Sequence, residues 1–419
     1  MSCTSRITTW SVLAAALGGV LLAPARARAD DFPLQVKPYG FLNAQLEWVR
    51  ALGGTTPYTP RMRVSDCNSR LGLAGSLAVN DDLKVVVQLE GFLNNFEQGG
   101  IDDLGHPSTL ESRNSFVGVD HRRFGRLLVG YMDSPYRSLV GTGNEYGGNL
   151  GLTQLGLDLW NNTTASMSGG FPSLFSRGEA RFKNSVHYTS PELFGVRLSA
   201  AYGFDETLSN GGRRDRVSVA LSYNLLGLKA GIAFDHQANT GVDGDSLQRG
   251  LGFQTTGVND VATNYYKVFA SYLFPTNTYV GFGYERSVYG YANFAQIDPG
   301  QIYTPLDQGT MSQGGAMLSI AQGLGDLTFM FSVGKLGNLS NSIEGSGSDY
   351  GASQLSIGAK YAFNGAFMAY VFFSRIDNKP LQNLQLGSPI FSNQTGTDGA
   401  YLSPGDKPTA GGIGMIARF

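Results

Sequence analysis

The sequence predicts an all-β chain: a transmembrane antiparallel up-and-down β-barrel of about 16 strands. Three observations predict the barrel. Stretches of strand length carry an apolar residue at every second position. The connections between them alternate short and long. The N-terminal stretch reads as an export signal.

Arg6 supplies a positive n-region, Trp10 to Leu22 a short apolar run, and Ala27-Arg28-Ala29 a small-x-small cleavage site. Residues 1–29 are therefore expected to leave as a signal peptide, with 30–419 as the barrel domain. The apolar run falls short of the about 20 residues that a spanning helix needs, and no later segment is long and apolar enough to be one. Cys3 lies in the leader, so Cys67 is the one thiol of the remainder. That excludes an internal disulfide and a cysteine-rich metal site. The chain is rich in Gly (57), Tyr (20) and Phe (25), and only 15% of it is charged. A net charge of −2 gives no reason to expect nucleic acid as a partner.

The alternation is clearest in three places. From Gly227 to His236, Leu228, Ala230, Ile232 and Phe234 share one face against Lys229, Gly231, Ala233 and Asp235. From Arg216 to Tyr223, Val217, Val219 and Leu221 oppose Arg216, Ser218 and Ala220. From Gln354 to Phe363, Leu355, Ile357 and Tyr361 oppose Gln354, Ser356 and Lys360. Spans of about ten residues with period two are what a barrel wall requires.

Short turns are expected at Asn80-Asp81, His121 to Phe124, Pro191 to Phe194, Leu225-Leu226, Pro275 to Asn277, Leu324-Gly325 and Asn364-Gly365. They carry the Asn, Asp, Gly and Pro that tight turns use. Between them fall eight long stretches, at 50–67, 95–111, 133–179, 205–214, 237–263, 289–312, 335–351 and 376–409. A soluble sandwich has no reason to sort connection lengths by parity, whereas an outer-membrane barrel has short periplasmic turns and longer outer loops. The last strand, Gly411 to Phe419, puts Ile413, Met415, Ala417 and Phe419 toward lipid and Arg418 inward. Tyr and Phe recur near strand ends, as interfacial girdles do.

These stretches resemble the Gram-negative general porins, the trimeric sixteen-stranded type. Tyr39-Gly40-Phe41-Leu42 resembles the first strand of that family, and Ser69-Arg70-Leu71-Gly72-Leu73-Ala74-Gly75 is similar to the second. Leu83 to Glu90, Phe116-Val117-Gly118-Val119, Phe124 to Gly130 and Asn184 to Pro191 continue the order. The long loops and the 376–409 segment depart from the family pattern. The resemblance implies a homotrimer in outer-membrane lipid that passes small hydrophilic solutes and ions, without cofactor. It also implies that 133–179, with Asp133, Glu145, Asp158 and Glu179, folds inward as an eyelet.

On the inward phase, basic residues outnumber acidic ones. Lys84, Arg113 and Arg126 lie on strands before the infolded loop, with Arg181 and Lys183 just after it. These five are the expected basic side of the constriction, opposed by Glu145 and Asp158. Arg70, Glu90, Arg197 and Arg418 are further lumen charges. A charge on the lipid face costs about 2–4 kcal/mol at mid-bilayer, which favours the lumen for all of them. Charge rings set ion preference, so a mild anion preference is expected. Two alternatives stay open: a substrate-selective channel for small anions or carboxylates, and a plugged barrel acting as an adhesin. No enzyme is expected. His106, His121, His187 and His236 stand apart in sequence, and no Gly-x-Ser-x-Gly elbow is present.

Overall fold

The computed structural model describes residues 35–54, 58–65, 69–93, 110–140, 177–206, 214–238, 262–294, 305–342, 345–382, 384 and 404–419. The expected signal, residues 1–29, lies outside them.

The strands are β1 (Gln35–Leu52), β2 in two pieces (Tyr58–Ser65 and Arg70–Ala78), β3 (Leu83–Leu93) and β4 in two pieces (Leu110–Ser112 and Ser115–His121). They continue as β5 (Gly125–Asp133), β6 (Arg181–Thr189), β7 (Val196–Gly203), β8 (Arg216–Leu225), β9 (Leu228–Gln237) and β10 (Thr263–Leu273). The rest are β11 (Thr278–Phe294), β12 (Pro305–Leu324), β13 (Leu327–Leu336), β14 (Ala352–Ala362), β15 (Phe367–Asn378) and β16 (Lys407–Arg418). Both pieces of β2 pair with β1, and both pieces of β4 pair with β3, so 18 segments make sixteen strands. Every neighbour is antiparallel. β16 closes on β1 from Phe41↔Arg418 to Leu52↔Lys407, so no edge is left for lipid to meet.

Alternation assigns the two faces. Val117, Val129, Ile232, Phe282, Phe329, Val371, Ile413 and Met415 are exposed on the outside, where acyl chains replace water. Edge-to-face pairs mark both ends of this band: Tyr202–Phe204 at the long-loop end, Tyr272–Phe274 and Tyr361–Phe363 at the short-turn end. The seven short turns lie where the sequence puts them. In two of them the chain turns through positive φ at Leu226 (52°) and Gly227 (83°), and at Phe194 (53°) and Gly195 (81°).

Two long connections are shorter than expected. β1 continues to Leu52 and β2 resumes at Tyr58, so most of 50–67 is strand. β11 and β12 run for 17 and 20 residues, through much of the expected 289–312 loop. A tilted span needs only about 9–11 residues, so these hairpins extend past the bilayer. The sequence there, with Asn293, Asp307 and Gln308, lacks the apolar–polar alternation that marks a span.

Candidate functional site: the lumen and its infolded loop

The long connection after β5 starts with one helical turn, α1 (Pro135–Val140), whose six residues are all buried. Proline suits the first helical position because its missing N–H would find no partner there. Ser134 caps the turn: its Oγ accepts from the Arg137 N–H at 3.1 Å. The Tyr136 N–H donates to Ser218 Oγ on β8 at 3.0 Å. Leu139 lies over Gly231 on β9, where a Cβ would come within 2.6 Å of it; glycine is what lets the loop touch the wall. α1 therefore sits inside the barrel, against the wall of β7 to β9.

The returning end of the loop is tied to the wall further round. The Arg177 N–H donates to Glu285 Oε1 on β11 at 2.9 Å, and its Nη1 donates to Gln313 Oε1 on β12 at 2.7 Å. Gly178, with φ of +73°, passes directly under the Tyr265 ring. Glu179 is ion-paired with Lys267 on β10, and that ammonium is also 3.7 Å from Glu285. Tyr136 closes the set, its hydroxyl donating to Glu285 at 3.4 Å and its ring lying 4.4 Å under the Lys267 ammonium. Burial, with Glu285 and Glu179 beside it, pushes that hydroxyl well above the usual tyrosine range, so it stays a donor. Both ends of the third loop are thus anchored inside the barrel.

A second cluster stands beside the outgoing end. Arg113 Nε meets Glu90 at 3.0 Å, and the Tyr39 hydroxyl donates to the same carboxylate at 3.0 Å. Asp133 takes Arg137 at 2.7 Å and Arg181 at 2.8 Å, and accepts from Asn114 Nδ2 at 2.9 Å. Arg70 lies over the Phe41 ring at 4.6 Å, within the field of Arg113. Buried charges persist only when matched in this way. A polar cavity of about 50 Å³ under α1, lined by Gln88, Asn114, Asp133 and His187 among others, has room for waters but not for a solute.

Of the residues expected at the constriction, this cluster brings together Arg113 and Arg181, with Arg70 and Glu90 beside them. Lys84 and Arg126 stand apart from it, next to the short turns, where Arg126 pairs with Asp120 at 3.1 Å. Arg197 is at the same end, 3.0 Å from Glu192, and Arg418 ends β16 there, exposed. Lys183 is displaced by a break in the alternation at Asn184 (φ 47°); it is exposed, with its ammonium 5.4 Å from the Tyr131 ring. Glu145 and Asp158 lie outside the described residues. The anchors Lys267 and Glu285 had a signal in the sequence, as charges in the middle of an inward phase. Tyr136, Arg177 and Gln313 had none.

A sequence profile described as Gram-negative porin matches residues 10–381. No curated protein sequence matches the chain. Among solved structures, the anion-selective porin from Comamonas acidovorans aligns at 16% identity with a TM-score of 0.63, over 92% of this chain and 100% of that one. Outer-membrane expressed OmpT of Vibrio cholerae aligns at 16% identity and 0.57, over 94% and 99%. OmpF of Salmonella typhi, in complex with daunomycin, aligns at 14% and 0.54, over 94% and 99%.

Proposed function

This chain belongs to the Gram-negative porin family and is an outer-membrane channel; we propose that it passes small hydrophilic solutes with a mild preference for anions, and catalyses no reaction. The observation that supports the preference is the charge balance beside the infolded loop. At its outgoing end four guanidiniums, of Arg70, Arg113, Arg137 and Arg181, stand with two carboxylates, of Glu90 and Asp133; at its returning end Lys267 and Arg177 stand with Glu179 and Glu285. Charge rings at a narrow, wet passage select ions by sign. The similarity in fold to an anion-selective porin agrees with this reading.

The decisive measurement is the reversal potential of the purified protein in a planar bilayer across a salt gradient. Stepwise ohmic conductance with an anion-favouring potential is the expected outcome. A cation-favouring potential would overturn the preference and leave the channel. A folded barrel that does not conduct would overturn the open pore.

Two further parts belong to the same reading. The chain assembles as a homotrimer in outer-membrane lipid, a state that trimeric OmpT of Vibrio cholerae adopts; the native mass in detergent tests it. Residues 1–29 are removed on export, so N-terminal sequencing of the membrane form should begin at Asp30.

A further inference from the structure

The buried basic side chains of the lumen are matched: Arg113 by Glu90, Arg137 and Arg181 by Asp133, Lys267 by Glu179 and Glu285. The short-turn mouth carries a second, more accessible set. Lys84, Arg126, Arg197, Lys229, Lys360 and Arg418 stand within about two residues of a short turn or of the chain end, on β3, β5, β7, β9, β14 and β16. All six share the phase of residues that face the lumen. Gln88 and Leu128 line the cavity under α1, Ser199 lines it too, Gly231 lies against Leu139, and Ser356 and Ile416 are buried on the inner wall. None of the six is buried.

On that inward phase the mouth holds one described carboxylate, Asp120, paired with Arg126; Glu192, in a turn, meets Arg197. Asp81, Asp82 and Asp326 sit in the turns themselves, as do Arg122 and Arg123, and the C-terminal carboxylate of Phe419 follows Arg418. The ring is thus an accessible excess of cationic side chains around one opening.

We propose that this ring is a vestibule that binds small multivalent oxyanions, oligophosphates or polycarboxylates, from the short-turn side of the membrane. That side is the periplasmic one. Several ammonium and guanidinium groups spread round an opening can share one polyvalent anion, and their fields overlap at low salt, where the Debye length is about 10 Å at 0.1 M. The proposal deepens the anion-preferring reading and rests on it.

The test is current block by tripolyphosphate in single channels of known orientation, read from the side at which streptavidin reaches a biotin on S348C in a C67S background. The expected result is block from the short-turn side at about tenfold lower concentration than from the other, fading as KCl is raised to about 1 M. K84Q/K229Q/K360Q/R418Q should abolish the difference between sides, and the Arg versions of the three lysines should keep it. Equal block from both sides of the wild type would overturn the vestibule, whether or not the variants fold; so would a side dependence that survives the four neutralisations. A cation-favouring reversal potential would instead overturn the underlying preference, which keeps the two failures distinct.

Discussion

Asp133 is the point on which the outgoing end of the infolded loop turns. It ends β5, and its carboxylate meets Arg137 of α1 and Arg181 of β6, so three elements share one charge. Its backbone N–H and its Oδ2 are both held by Asn114. D133N keeps the size and much of the hydrogen bonding but removes the charge that the buried guanidiniums of Arg137 and Arg181 both meet. Breaking a buried pair this way costs about 3–5 kcal/mol. The midpoint of urea unfolding, followed by intrinsic tryptophan fluorescence, should fall clearly below that of wild type. An unchanged midpoint would mean that solvent, not Asp133, compensates the two arginines. Residues of this kind are half legible in sequence. The alternation gave Arg113, Arg126 and Glu90 the lumen face, but it carries no information on height along the strand. Arg113 reached the cluster beside the loop, and Arg126, on the same face, went to the mouth.

At the scale of elements, α1 is six residues long, far below the about 12–15 at which an isolated helix becomes even marginal in water. It exists because Ser134 caps it, Ser218 takes an otherwise unpartnered N–H, and Gly231 admits Leu139. The returning end relies on Lys267 lying between Glu179 and Glu285. K267M fills the same space without the charge, so two buried carboxylates would repel each other and the loop end should loosen. The expected outcome is excess open-channel noise and closure at lower applied voltage in single-channel records; records that match wild type would sink the anchoring role. None of this path was readable from the loop's own sequence. A strand announces itself by period two because one face meets lipid. A loop crossing a polar lumen has no such two-sided environment, so Tyr136 and Arg177 leave no periodic trace.

At the scale of the whole molecule, closure explains why the barrel itself was legible. Lipid removes every alternative partner for the backbone, so sixteen alternating spans have to pair in sequence and meet at β1 and β16. The same argument explains the two misread connections, because past the bilayer the constraint lapses and strand can continue without alternation, as β11 and β12 do.

What the closed wall encloses then sets a prediction on salt. If selectivity arises from fields of side chains in water, it must weaken as ions screen them: the Debye length falls from about 10 Å at 0.1 M to about 3 Å at 1 M. The anion-to-cation permeability ratio, measured at a fixed concentration ratio across the membrane, should therefore drop toward unity as both sides are made more concentrated. A filter that strips water from ions and holds them against Arg113 and Arg181 directly would behave otherwise, because contacts shorter than either screening length do not relax with salt. A ratio that stays constant from about 0.1 to 1 M would mean that ions meet the arginines beside α1 directly rather than through their field in water.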